Sequence, residues 1–286
     1  MSVNTDKAHA FTLVDVFGAE AFSGNPLAVI HDADDLDGEE MLRITRWLNF
    51  SETTFLLRPT VPEADYRVRI FTPERELPFA GHPTLGSCHA WLGAQSAQPD
   101  KDVLVQECGA GLVSIVRDGS DLAFAAPALI RSGPIGDATR AEIVEFLHVD
   151  PRDVVDAQWI DNGPGWAGVL LPSAEDVLAL EPERNQRMPL YVGAVGPYPA
   201  GSEVAFEIRA FFSDHLGNMV EDPVTGSLNA SVAQWLLGSG RASAPYVASQ
   251  GTRLGRQGRI EVEQDVSSDI WIGGSTRTLF VGRTTF

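Results

Sequence analysis

Cysteine is scarce in this chain, and the usual marks of exported and membrane proteins are missing. Only Cys88 and Cys108 occur among 286 residues, which excludes a framework of several disulfides. No run of about 18 apolar residues is present to cross a membrane. The first ten residues, MSVNTDKAHA, contain no apolar segment typical of a secretion signal. These absences predict a cytoplasmic protein without a membrane partner.

Positive charge is scarce as well. The chain has 21 Lys and Arg residues against 39 Asp and Glu residues, a formal net charge of −18. A surface this acidic repels the phosphates of nucleic acids, and no Lys/Arg cluster offsets it. The charge therefore argues against a nucleic-acid partner. It does not exclude a small anionic substrate, because such a molecule needs only local positive potential.

Motifs for cofactors and metals are also absent. The sequence contains no GxxxxGK[ST] loop and no GxGxxG between a strand and a helix. Its six histidines are scattered, without HExxH or Cys–His metal spacing. Ser227 lacks the G-x-S-x-G surroundings of a hydrolase nucleophile. We therefore expect neither a cofactor nor a metal.

The residues that are present predict two similar halves. With 44% hydrophobic residues, the chain can bury the core of one large domain or of two ordinary ones. Each half contains, in order, a strand, a helix, strands, a polar loop, a helix of small residues and a meander of strands. The small-residue helices are predicted over 84–92 and 227–237. Their small side chains favour close packing, so each helix is expected to be enclosed by a curved sheet.

The first polar cluster covers residues 49–55 and contains Glu52. This glutamate stands where a helix ends and an apolar strand begins, so its carboxyl group is expected to be half-buried. Such a group is suited to general acid/base chemistry. On residue type alone, a solvated glutamate at a strand edge is the simpler interpretation.

The second cluster, residues 79–84, precedes the first small-residue helix and is predicted as part of a loop over 73–82. His82 could move a proton or hydrogen-bond a substrate, and Gly81 would let the substrate approach the backbone. A histidine that only caps or packs locally is the alternative.

The third cluster lies before the second small-residue helix, in a predicted loop over 214–226. The N–H groups of Thr225, Gly226 and Ser227 are expected to be unpaired there, and the helix dipole adds positive potential. This favours binding of a carboxylate, with Asp222 facing the same group. Ordinary turn and cap chemistry explains the same residues.

The three clusters together are more informative about function than each cluster alone. If the halves pack face to face, both helix N-termini point into one cleft that also holds Glu52, His82 and Asp222. This arrangement suits removal of a proton next to a carboxylate by Glu52 and its return elsewhere by Glu52 or by His82 and Asp222, so these three are the candidate catalytic residues.

Five segments at these positions resemble the PhzF family, the phenazine-biosynthesis-like proteins. They are DVFGAEAFSGNPLAVI from Asp15, NFSETTFL from Asn49, RIFTPERELPFAGHPTLGS from Arg69, EDPVTGSLNAS from Glu221 and SQGTRLGRQGRI from Ser249. The resemblance implies a diaminopimelate-epimerase-like α/β fold, with two halves related by pseudo-twofold symmetry and a mostly antiparallel curved sheet around a helix in each. We expect the first half to span 1–127, joined by a final strand 278–286, and the second to span 128–277.

The resemblance also implies roles. Glu52 corresponds to the acid/base glutamate of the SETTF motif, His82 to the histidine of AGHP, and Asp222 and Ser227 to the Asp and Ser of EDPVTGS. It further implies catalysis without a cofactor and a homodimer. Leu228 departs from the GSA sequence usual in the family and could change the pocket, so the substrate is not carried over.

The expected function is a cofactor-independent isomerase that transfers a proton on a small carboxylate-bearing substrate, as the dihydro-hydroxyanthranilate isomerases of this family do. Two alternatives remain. One is an amino-acid racemase or epimerase, although neither loop contains the cysteine used by two-thiol relatives. The other is a non-catalytic protein that binds small acids on the same scaffold.

Overall fold

The computed structural model describes residues 8–97, 99–119, 121–182, 191–214 and 217–285. The chain divides into two compact units, one formed by 1–125 with 273–286 and the other by 126–272. Each unit is built from strands around one well-buried helix.

The strands of the first unit are paired mostly antiparallel, with two parallel pairs. Its strands are β1 (Ala10–Val16), β2 (Asn25–Ile30), β3 (Thr53–Leu57), β4 (Tyr66–Phe71), β5 (Glu76–Leu77), β6 (Val103–Cys108), β7 (Gly111–Asp118) and β8 (Asp121–Ala125). Its helices are α1 (Gly38–Leu48) and α2 (Gly81–Ala94). β1 pairs antiparallel with β2, β2 parallel with β3, β3 antiparallel with β4, and β4 parallel with β6, which continues antiparallel through β7 to β8.

The second unit repeats this order. Its strands are β9 (Arg131–Pro134), β10 (Asp156–Asp161), β11 (Trp166–Leu170), β12 (Tyr191–Pro197), β13 (Phe206–Ser213), β14 (Met219–Asp222), β15 (Tyr246–Gln250) and β16 (Gly258–Gln264). Its helices are α3 (Asp137–Leu147), α4 (Ala174–Ala179) and α5 (Gly226–Gly238). β10 pairs antiparallel with β11, β11 parallel with β12, β12 antiparallel with β13, β13 parallel with β15, and β15 antiparallel with β16. The alternation of antiparallel and parallel pairs is the same as in the first unit.

Two strands complete the described chain. β17 (Ile270–Gly274) spans the boundary at which the chain re-enters the first unit. β18 (Thr276–Arg283) pairs antiparallel with β1. In the second unit β9 pairs antiparallel with β10. β9 therefore has the place in the pairing order that β18 has beside β1 in the first unit. None of the helices in the described ranges is long and apolar enough to span a bilayer.

Local chemistry sets where α1 begins. Asp37 accepts hydrogen bonds from the amides of Glu39 and Glu40, and the Glu40 carboxylate accepts from the Asp37 amide at 3.0 Å. This reciprocal capping box satisfies donors that a helix start leaves unpaired. The helix ends at Asn49, whose φ of 57° reverses the chain toward β3.

Both central helices pack against strands at distances that only small residues allow. A Cβ added to Gly86 of α2 would lie 2.5 Å from Leu27 Cδ2. On the strand side of α5, a Cβ added to Gly168 would lie 2.9 Å from Trp235 Cζ3. The prediction of enclosed small-residue helices is thus confirmed for each unit.

Two predicted loops are partly wrong. The loop expected over 73–82 contains β5, and α2 already begins at Gly81, so Gly81 and His82 belong to its first turn. Pro83 fits this turn because a proline lacks only an N–H that would have no partner there. The loop expected over 214–226, of which 215 and 216 lie outside the described residues, contains β14.

Candidate active site

The first unit places Glu52 beside His82. His82 Nε2 lies 3.4 Å from Glu52 Oε2, and the side chains are 4% and 16% exposed. Glu52 reaches this position because the left-handed turn at Asn49 ends α1 just before β3. His82 reaches it because α2 begins at Gly81. The two leading residues of the predicted chemistry are therefore neighbours.

His82 is a neutral imidazole in this setting. Burial lowers its pKa from 6.5 to about 3, since removal from water disfavours the charged form. Asn25 Nδ2 lies 3.4 Å from His82 Nδ1 and donates toward it. This contact leaves the ring proton on Nε2, the atom that faces Glu52. The contact with Glu52 is thus one between a neutral donor and a carboxyl group.

A buried carboxylate on β1 holds the loop that precedes Asn25. Asp15 accepts hydrogen bonds from the amides of Ser23 at 3.0 Å and Gly24 at 2.8 Å. A Cβ on Gly24 would lie 2.1 Å from the Val16 carbonyl oxygen, so glycine is required for this approach. The loop that leads into β2 is therefore fixed immediately before Asn25.

Hydrogen bonds from the surrounding strands also fix α2. Ser87 Oγ donates to Thr54 Oγ1 at 2.8 Å, and Gln106 Nε2 donates to Thr84 Oγ1 at 3.1 Å. Gln106 in turn accepts from the Tyr66 hydroxyl. These buried bonds hold the first turns of the helix, and with them His82, in one orientation.

Cys88 lies on the same helix and is a packing residue. Its side chain is fully buried, and burial raises the pKa of its thiol to about 12. At neutral pH the thiol stays protonated, whereas the nucleophile is the thiolate.

In the second unit the predicted residues Asp222, Thr225, Gly226 and Ser227 lie together where β14 leads into α5. The amides of Gly226 and Ser227 belong to the first helical turn and have no acceptor within the helix. The expectation that the Thr225 amide is unpaired is wrong. It donates to Gln250 Oε1 at 3.0 Å, from a strand that lies 25 residues further along the chain.

Ser227 is oriented by the hairpin between β10 and β11. Trp166 Nε1 donates to Ser227 Oγ at 3.1 Å, and Asn162 Nδ2 donates to the Ser227 carbonyl oxygen at 2.9 Å. An indole N–H can only donate, so the hydroxyl accepts there and keeps its own proton for another acceptor. The geometry makes Ser227 a hydrogen-bond donor at the start of α5.

An ion pair anchors the strand that carries Asp222. Arg209 binds both carboxylate oxygens of Glu221 at 2.8 Å and donates to the carbonyl oxygens of Val177 and Leu180. The guanidinium is buried, and paired, fork-shaped contacts of this kind are specific in direction as well as strong. Position 221 is thereby fixed next to Asp222.

Leu228, whose effect on the pocket the sequence leaves open, lies in the first turn of α5. Its side chain is fully buried and packs over Gly193, where an added Cβ would lie 2.3 Å from Leu228 Cδ1. The departure from the family's GSA sequence is thus accommodated in the core of the second unit.

Sequence reasoning missed three residues that the structure places next to predicted ones. They are Asn25, Trp166 and Gln250. Asn25 and Gln250 lie inside segments that carry the family resemblance, in GNPLAVI and SQGTRLG, so the segments contained a signal for them. Trp166 lies in none of these segments, and nothing in its local pattern distinguishes it from a core tryptophan.

Comparison with known proteins identifies the family of this chain. The model of the phenazine biosynthesis-like protein family matches residues 14–282. The protein named antisense-enhancing sequence 1 of Schizosaccharomyces pombe is 37% identical over 295 residues, covering 96% of this chain and 98% of that protein. The trans-2,3-dihydro-3-hydroxyanthranilate isomerase of Pseudomonas aeruginosa is 35% identical over 258 residues, covering 88% and 89%.

A solved structure supports the same assignment. The crystal structure of a PhzF-family phenazine biosynthesis protein from Enterococcus faecalis is similar to this chain with a TM-score of 0.79 and 25% identity, covering 97% of this chain and 99% of that one. The predicted fold class is therefore confirmed. The chain belongs to the phenazine biosynthesis-like (PhzF) family and is an isomerase of that family.

Proposed function

We propose that this isomerase moves a proton between two carbons of a small carboxylate-bearing substrate, without a cofactor and with Glu52 as the acid/base. Glu52 removes a proton from a carbon made acidic by neighbouring unsaturation or a carbonyl group, and it returns the proton to another carbon. The contact of 3.4 Å between Glu52 Oε2 and His82 Nε2 carries this proposal. It sets a carboxyl group beside a buried neutral donor at a helix start.

His82 assists as a hydrogen-bond donor in this proposal. A ring whose pKa is lowered to about 3 does not carry a proton as an imidazolium near neutral pH. Its Nε2–H instead orients the Glu52 carboxylate or a polar group of the substrate. The amide of Gly81, in the same helical turn, supplies a further donor for the substrate.

The proposed binding groups for the substrate carboxylate lie at the start of α5. We assign the substrate carboxylate to the amides of Gly226 and Ser227 and to the Ser227 hydroxyl, which Trp166 leaves free to donate. Helix N-termini favour anions through these amides and the helix dipole. Thr225 shapes the turn, and Asp222 accepts hydrogen bonds from donors of the substrate.

The reaction type is that of the relatives, and experiment identifies the substrate. The Pseudomonas aeruginosa relative is named for isomerisation of trans-2,3-dihydro-3-hydroxyanthranilate. That compound is therefore the first probe, followed by other cyclic and amino-acid carboxylates. Isomerisation in D₂O should place deuterium at the receiving carbon and shift the double bond.

The decisive variant is Glu52→Gln. General acid/base catalysis is worth about 10²–10⁴-fold, so turnover should fall by at least about 10²-fold while the thermal unfolding midpoint stays close to the wild type. Glu39→Gln is the matched control, because Glu39 is exposed in the first turn of α1. Full turnover by a folded Glu52→Gln protein would refute the proposal. Exchange and inversion at a single carbon would instead favour a racemase, and binding without any exchange would favour a non-catalytic protein.

Assembly and location complete the proposal. We assign a homodimer in the cytoplasm. The two cysteines of the chain are free thiols, as is usual in a reducing compartment. Phe22 and Phe280 form an exposed aromatic pair with centroids 6.2 Å apart, which is a surface suited to a second copy. Light scattering coupled to size exclusion tests the mass, and a monomer at all concentrations would contradict the assignment.

A further inference from the structure

Gln250 is the last residue of β15 and is fully buried. Its side-chain amide forms hydrogen bonds with residues at the start of α5. Its oxygen accepts from the Thr225 amide at 3.0 Å and from Asn229 Nδ2 at 2.8 Å. Its nitrogen donates to the Asp222 carbonyl oxygen at 3.1 Å and to Thr225 Oγ1 at 2.9 Å. One side chain thus holds both ends of the turn between β14 and α5.

Backbone groups fix the direction of every bond in this cluster. A backbone N–H can only donate, so the Thr225 amide requires the oxygen of Gln250. A backbone carbonyl can only accept, so the Asp222 carbonyl requires the nitrogen. The orientation of the Gln250 amide therefore follows from its partners. Asn229 agrees, since its Nδ2 also donates to the Thr225 carbonyl oxygen at 2.9 Å.

The orientation of Gln250 in turn sets the direction of the Thr225 hydroxyl. Because Thr225 Oγ1 accepts from Gln250 Nε2, its single proton is directed to its other partner, Asp222 Oδ2, at 2.5 Å. The hydroxyl is therefore the donor in this bond, and the Asp222 oxygen is the acceptor. The chain of donation runs from Gln250 to Thr225 and ends on Asp222.

The backbone around the cluster has little freedom to change. Gly251 has φ of 88°, and a Cβ there would lie 2.5 Å from the Pro223 carbonyl oxygen. Only glycine lets the chain after Gln250 pass this close to the turn. Pro223 has no N–H that could compete for the Asp222 carboxylate.

We propose that Gln250 is a positioning residue, which through the Thr225 hydroxyl holds Asp222 as a fixed hydrogen-bond acceptor. This inference rests on the proposed function, in which Asp222 contacts the substrate. It assigns to Gln250 a role in the reaction that a residue needed only for folding would not have. Oδ2 of Asp222 is a constant acceptor in this arrangement, so the transferred proton is not drawn from it.

The test uses variants that change the hydrogen-bonding capacity of positions 250 and 225. Gln250→Glu keeps the acceptor for the Thr225 amide but cannot donate, so the hydroxyl turns to the new carboxylate and leaves Asp222. Thr225→Val removes the hydroxyl and leaves Gln250 in place, whereas Thr225→Ser keeps it. Gln264→Glu is the matched control, because it adds the same charge at an exposed position of β16.

Two readouts separate positioning from folding and from the proposed function. In ¹³C-aspartate-labelled protein without substrate, the Cγ resonance of Asp222 is assigned by its loss in Asp222→Asn. It should move in Gln250→Glu and Thr225→Val, and stay in Thr225→Ser and Gln264→Glu. In turnover of the probe that the wild type isomerises, Gln250→Glu and Thr225→Val should lower kcat about 10–100-fold, the value of one hydrogen bond to a charged group, with KM nearly constant. Thr225→Ser should recover most of the rate that Thr225→Val loses.

Each outcome bears on the inference. An Asp222 resonance unchanged in Gln250→Glu, or a kcat equal to that of the wild type, overturns it. If Gln250→Glu does not fold, the Val and Ser variants at position 225 decide by the same two criteria. If the wild type isomerises no probe, the proposed function fails, and the resonance positions still support or overturn the direction of the bonds.

Discussion

The carboxylate of Asp15 accepts the amide hydrogens of Ser23 and Gly24, at 3.0 and 2.8 Å. These bonds fix the residue that precedes Asn25, and Asn25 contacts the ring of His82. A residue on β1 thereby determines, through two contacts, the orientation of the imidazole that faces Glu52. The backbone of the loop is the connecting element.

Asp15→Asn should therefore loosen this loop. The amide nitrogen that replaces one oxygen cannot accept, so one of the two N–H groups loses its buried partner. The free energy of unfolding should fall by about 1–3 kcal/mol, the cost of an unsatisfied buried donor. Chemical denaturation measures this loss. Asp34→Asn, at an exposed position, is the control, and an equal loss there would contradict the assignment.

The stability of the protein should depend on pH through His82. Its pKa is lowered from 6.5 to about 3 by burial, so the unfolded chain binds a proton between these values while the folded chain does not. The stabilising effect of a neutral His82 is thus complete above about pH 6.5 and is lost as pH falls toward 3. Between pH 7 and 5 the loss should be about 2 kcal/mol.

His82→Asn should remove this part of the pH dependence. The comparison is the difference in unfolding free energy between pH 7 and 5, in the wild type and in the variant. His31 and His89, whose pKa values are also lowered by burial, remain in both proteins and cancel. His148→Asn, which changes an exposed histidine, is the control. Identical pH dependence of the wild type and His82→Asn would show that the ring is not buried as described.

Gly193 and Leu228 should behave as a coupled pair. Gly193→Ala places a Cβ 2.3 Å from Leu228 Cδ1, and such overpacking costs about 1–3 kcal/mol. Leu228→Ala leaves a cavity and costs about 2–5 kcal/mol. In the double variant the new methyl group enters the vacated space, so the total should be smaller than the sum of the two losses.

Thermal and denaturant unfolding of the four proteins measures the coupling. Gly93→Ala is the control, because a Cβ there meets no other atom within 4 Å. It should be neutral or slightly stabilising, since alanine favours a helix. Strict additivity at positions 193 and 228 would mean that Leu228 does not pack on Gly193.

Features that depend on near neighbours in sequence were predictable. The cap at Asp37 is of this kind, because its partners are two and three residues away. The enclosed helices were recognised because an uncharged run of small residues has few other uses. Glu52 and His82 were expected in one cleft only on the condition that the two halves pack face to face, and spacing alone did not predict their contact, since 30 residues separate the two.

Features that depend on distant partners were not predictable. The Thr225 amide was counted as unpaired because a helix start has no acceptor of its own, yet Gln250 supplies one from another strand. The pairing of Trp166 with Ser227 joins positions that are 61 residues apart. The start of α2 was placed too late because Gly81 and Pro83 are typical of loops. Their compatibility with a first helical turn becomes decisive only once the sheet packs around it.

The buried thiol of Cys88 is a probe for the rate at which the first unit opens. Thiol reagents act on the thiolate, and a group with a pKa of about 12 inside α2 forms almost none at neutral pH. Alkylation of Cys88 therefore waits until the strands around the helix separate. Residues 126–272 contain no cysteine. The rate of Cys88 alkylation therefore measures the opening of the first unit alone.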